Sequence, residues 1–103
     1  MIEIVWLPES RDDLQRLHDF IAEHNVTAAA QAISRLLDAV GSLRDSPEKG
    51  RPWDAEPHYR TLSVRFGARG YVVRYRLFEE QVIIVRVVWH ALEVGWIETT
   101  AFF

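Results

Sequence analysis

Five arginines stand between Pro57 and Phe78 (Arg60, Arg65, Arg69, Arg74 and Arg76), and no carboxylate stands among them. A guanidinium is always protonated, and its planar fork grips a carboxylate or a phosphate through two parallel hydrogen bonds. The segment is therefore a candidate anion-binding surface. The 103-residue chain around it is acidic, with 12 Lys plus Arg against 15 Asp plus Glu. Its charge is sorted along its length, because residues 1–50 hold 5 basic and 9 acidic side chains while residues 51–103 hold 7 and 6. A net charge of −3 argues against a general nucleic-acid binder, which carries a surplus of cations. Carboxylates are thus the better-matched anion.

Other chemistries find little support. There is no cysteine, which excludes thiolate catalysis and disulfides and fits a reducing compartment. The four histidines (His18, His24, His58, His90) lack the spacing of a metal site, and neither metal nor cofactor is expected. Gly67-x-x-Gly70 has the form of a short RNA-binding loop, but between two strands it reads as a hairpin turn. Trp6 and Trp89 read as core, with Trp53 and Trp96 unassigned. The start of the chain, MIEIVWLPES, has neither a basic region nor a sustained apolar run, so a single cytoplasmic domain is expected over residues 1–103.

The elements that must position these arginines follow from periodicity. Residues 2–6 alternate as a strand, with Ile2, Ile4 and Trp6 on one face. Ser10 is expected to cap a first helix, with Asp13 as its partner, and His24-Asn25 to end it through a left-handed residue. Thr27 is expected to cap a second helix carrying the stripe Ala29, Ile33, Leu36, Leu37, Val40 and Leu43. Two amphipathic helices across so short a turn make an antiparallel αα-hairpin. Asp45–Pro57, with three prolines and a glycine, reads as a loop. Strands are expected at Tyr59–Phe66, Tyr71–Phe78 and Gln81–His90, joined by hairpins. The order is β-α-α-β-β-β, an α+β fold with the hairpin packed on one face of an antiparallel sheet.

Side chains alternate across a strand, so parity assigns the faces. Tyr71, Val73, Tyr75 and Leu77 share a covered face with Ile83, Val85, Val87 and Trp89. Opposite them, Val72, Arg74, Arg76 and Phe78 lie beside Val82, Ile84, Arg86, Val88 and His90, with Arg65 on the same side. Arg60 has covered-face parity but sits at a strand's start, where it can reach around an edge. A solvated face intersperses charges of both signs, and this one does not. Guanidiniums set among aliphatics suit an acidic, partly apolar partner, placing Arg60, Arg65, Arg74, Arg76, Val82, Ile84, Arg86, Val88 and His90 at a partner-binding face.

This arrangement resembles the RelE/ParE superfamily of toxins from type II toxin–antitoxin, or plasmid-stabilisation, systems. The resemblance spans nearly the whole chain and rests on an ensemble of motifs. These are WLPESRDDLQRLHDFIAEHNVTAAAQAISRLLDAV for the helices, SPEKGRPW for the loop, YRTLSVRFGARGYVVRYRL for the central strands and VIIVRVVWH for the last. It implies an antitoxin whose segment folds onto the toxin, and one of two activities. ParE-like members poison DNA gyrase without a catalytic centre of their own, whereas RelE-like members cut mRNA on the ribosome. A nuclease here would draw proton transfer from Glu48 or His90 and charge stabilisation from Arg65, Arg74, Arg76 and Arg86. Ribosome-dependent members bring many lysines, and this chain has Lys49 alone. After His90 comes ALEVGWIE, with neither the basic nor the tyrosine residues of the cleaving members. The ParE-like branch is favoured, although Glu93 stands where many of its members carry a basic pair. A third reading is a relic that only binds antitoxin.

Overall fold

A computed structural model describes residues 1–53, 56–67 and 69–89. Strand β1 (Glu3–Trp6) leads into α1 (Pro8–Ala22) and α2 (Val26–Gly41), and a single 3-10 turn (Ser42–Arg44) follows. Four strands come next: β2 (Arg51–Trp53), β3 (Glu56–Phe66), β4 (Arg69–Phe78) and β5 (Gln81–Trp89). They form one sheet in the order β1-β5-β4-β3-β2, with β1 parallel to β5 and every other pair antiparallel. This is the expected α+β architecture with one strand more. β2 lies inside the stretch read as a loop, and it pairs at the sheet's edge, where Pro52 tolerates its missing N–H. No helix among the described residues is long and apolar enough to cross a membrane.

The helix boundaries differ from expectation for local reasons. Pro8 at the first position, with φ already set, starts α1 after Leu7 and ahead of Ser10. Ser10 is therefore inside the helix and fully buried, its hydroxyl donating to the Leu7 carbonyl at 2.7 Å. Asn25 does not close α1 in a left-handed turn. It is extended (φ −160°) and caps α2, its side chain accepting from the Ala28 N–H at 2.9 Å, which leaves Thr27 within the helix. Ala29, Ala32, Leu36 and Val40 form the buried stripe of α2 and Leu43 continues it, whereas Leu37 is 47% exposed.

The core lies between the helices and one face of the sheet, where Leu62, Val64, Tyr71, Val73 and Tyr75 meet Leu17, Leu36 and Val40. In β5 the expected parity fails. Arg74 pairs with Arg86 but Tyr75 pairs with Ile84, so Val85 is an extra residue in β5. Such a bulge reverses which residues point inward on its two sides. Before it, Val82 and Ile84 are fully buried in the core, and Ile83 faces the other way. After it, Val87 is buried as expected. Val82 and Ile84 thus leave the proposed partner face. Val72 is also buried, at 1%, despite its open-face parity.

Candidate functional site on the open sheet face

The loop ahead of β2 is fastened from the covered side of the sheet. The buried Tyr75 hydroxyl donates to the Pro47 carbonyl at 2.8 Å and accepts from the Gly50 N–H at 2.9 Å. Burial pushes this hydroxyl above the usual phenol range, although the Gly50 N–H and the Arg60 charge pull the other way. Arg60 lies beside Tyr75 in register and donates to the carbonyls of Glu48 (3.1 Å) and Gly50 (2.7 Å). Gly50 must be glycine, because a Cβ there would stand 2.6 Å from the Tyr75 hydroxyl and 2.7 Å from the Thr61 carbonyl. The P-x-x-G-R run is thereby explained as a backbone fastening. It carries the chain into β2 and sets Trp53 edge-on to Tyr59, with ring centres 6.3 Å apart.

On the open side, the Arg74 guanidinium lies 4.2 Å over the Trp53 ring and Arg76 lies 5.2 Å from the Phe78 ring. Both are cation–π distances. Arg65 is exposed on the same face, and Val88 is half-buried there, opposite Val72. His90 lies outside the described residues.

Arg86 has a partner inside the chain. β1 ends at Trp6, so among the described residues the later part of β5 has no strand on the side away from β4, and α1 packs there. Asp13, 1% exposed on α1, accepts there from the Val87 N–H at 2.9 Å. The same carboxylate accepts from Arg86 Nε (2.7 Å) and Nη2 (3.0 Å), and it also pairs with Arg16. Hydrogen bonding to Asp13 raises the Arg86 pKa further above an already high arginine value. Asp13, expected as a capping partner, is instead a buried strut.

Among the described candidate nuclease residues, Arg74 and Arg86 stand in register across β4 and β5. Glu48 sits on the loop held from the covered side, Arg65 and Arg74 lie on the open side, and the fork of Arg86 is filled by Asp13. Arg60, too, is engaged in fastening the loop. The open face gains residues that sequence reasoning left aside. Tyr59 could have been found from parity, since it shares the odd numbering of Arg65, whereas Trp53 depended on the unforeseen β2. A groove of about 270 Å³ also opens between the αα turn and the β3–β4 hairpin, lined by Phe20, Ile21, His24, Ala28, Phe66 and Tyr71.

A family model described as the ParE toxin of type II toxin–antitoxin systems, parDE, matches residues 4–94. Among curated relatives, Toxin RelE1 of Caulobacter vibrioides is 37% identical over 84 residues, covering 82% of this chain and 87% of that protein. Toxin RelE3 of the same organism is 35% identical over 86 residues, covering 84% and 90%. A solved structure, the chromosomal ParDE system from P. aeruginosa, superposes with a TM-score of 0.70 at 20% identity, over 86% of this chain and 96% of that one. That likeness concerns the fold.

Proposed function

The chain belongs to the ParE toxin family of type II toxin–antitoxin systems, and on that footing we propose that it arrests growth by binding DNA gyrase, with no bond-breaking step of its own. An antitoxin partner follows from the family. The observation that carries the choice of target is the occupation of Arg86 by Asp13. Metal-free RNA cleavage needs a base, an acid and cations converging on one phosphate. Here the cation nearest the end of β5 is neutralised inside the chain, and Glu48 belongs to a loop fastened on the other side of the sheet. Arg65 and Arg76 suit recognition of carboxylates on a protein surface.

A second reading, ribosome-dependent mRNA cleavage, is favoured by the names of the Caulobacter relatives. Induction of the chain without its antitoxin separates the two. Gyrase trapped on cleaved DNA, with plasmid topology altered and translated mRNA intact, supports the gyrase reading. Codon-positioned cuts in translated mRNA with gyrase unaffected would replace it with the nuclease.

A further inference from the structure

One part of the open face is built differently from the rest. Register places Tyr59 on β3 and Ile83 on β5 directly across from Arg76, with Val5 of β1 beyond Ile83. Phe78, 45% exposed, lies two residues along β4 and beneath the Arg76 guanidinium, and Trp53 stands edge-on to Tyr59. All six side chains are at least partly exposed. The patch therefore carries two aromatic anchors, a third ring and two aliphatics around one cation, the composition that dominates binding energy at protein interfaces.

We propose that this Arg76-centred patch is where the antitoxin docks, and that it takes a segment presenting one carboxylate flanked by apolar side chains; the assignment rests on the reading of the chain as a toxin. Among the described residues Arg76 has no carboxylate partner. Two carboxylates near this end of the sheet are occupied, Glu80 by the N-terminal amine and Glu3 by Gln81. With its guanidinium carbon 5.2 Å over the Phe78 ring, Arg76 keeps N–H donors that an incoming carboxylate can fill. Charge decides against a nucleic acid at this position. With Glu3, Glu79 and Glu80 exposed along the rim, a polyanion charged at every phosphate is repelled more than a segment bringing one carboxylate, and Val5 and Ile83 offer a phosphate backbone nothing. A peptide chain brings both the carboxylate and the apolar flanks.

The test is titration calorimetry of the full chain with its cognate antitoxin, comparing Arg76→Ala, Arg76→Lys and Phe78→Ser with Arg35→Ala on the outer side of α2. Hot-spot truncations weaken binding by about thirtyfold or more, and that loss is expected for Arg76→Ala and Phe78→Ser. Arg76→Lys keeps the charge without the fork and falls between, and Arg35→Ala stays close to wild type. Circular dichroism checks the fold; should Arg76→Ala not fold, Arg76→Lys and the exposed Phe78→Ser carry the measurement. Wild-type affinity in both of those variants overturns the proposal. Variants that bind antitoxin normally but lose toxicity overturn it too, by assigning the patch to the target. Protection of the patch by an RNA oligonucleotide, with none by antitoxin, has the same effect. A wild-type chain that neither arrests growth nor binds antitoxin removes the toxin reading itself, and this proposal with it.

Discussion

Replacing Asp13 by alanine deletes the acceptor that holds α1 against the exposed part of β5. Two losses add. The buried Val87 N–H loses its partner, and an unsatisfied buried donor costs about 1–3 kcal/mol. Arg86 loses a bidentate contact, but its side chain is 45% exposed and water replaces much of it, so this part is worth about 0–1 kcal/mol. The total is about 1–4 kcal/mol, set against the ~5–15 kcal/mol that holds a domain folded. For a chain of this size it lowers Tm by at least about 4 °C. Thermal unfolding followed by circular dichroism reads the total. Native-state hydrogen exchange reads the location, because the Val87 amide should lose protection before the amides of β3 and β4 do. A Tm within about 3 °C of wild type, together with an unchanged Val87 amide, would show that Asp13 is not the strut described here.

Two further outcomes test the sheet. Ile84→Ala should cost about 2–5 kcal/mol in denaturant unfolding, as a fully buried side chain does, and Ile83→Ala less than about 1 kcal/mol; the reverse order would abolish the bulge at Val85. The Tyr75 hydroxyl ionises at higher pH folded than its unfolded value of 10.0, so the stability it contributes is complete below that pH and is lost as pH rises through the folded value. Tyr75→Phe should be less stable than wild type at neutral pH, and the gap between them should narrow in alkali; a constant gap would contradict the burial of that hydroxyl.

The helical hairpin and the β3–β4 and β4–β5 hairpins were legible because periodicity and turn residues act locally. So was the family resemblance, which needs only the order of motifs. β2 was hidden because three residues containing a proline carry no alternation. The bulge was hidden for a different reason. VIIVRVVW is apolar in both parities, so either face of β5 reads as core, and counting residues cannot reveal one that is unpaired. Asp13 and Arg86 stand 73 residues apart, and nothing local marks a carboxylate on a helix as the partner of a strand edge. The site was thus half legible. Arg65, Arg74 and Arg76 emerged from alternation alone, whereas the reassignment of Val82 and Ile84 required the register of β5 and that of Arg86 the contact with Asp13.

The parallel pairing of β1 with β5 has a consequence for the life of the chain. Glu3 aligns with Gln81, so β1 and α1 emerge from the ribosome long before the strand that receives them exists. Synthesis at roughly 5–20 residues per second leaves an interval of several seconds in which the amino-terminal third has no sheet to join. Contacts so distant in sequence also slow the search for the native arrangement once synthesis is done. A partner that docks across β3, β4, β5 and β1 must therefore wait until β5 is made and the sheet has closed. β5, the last described strand to be made, thus completes both the fold and the open face at once.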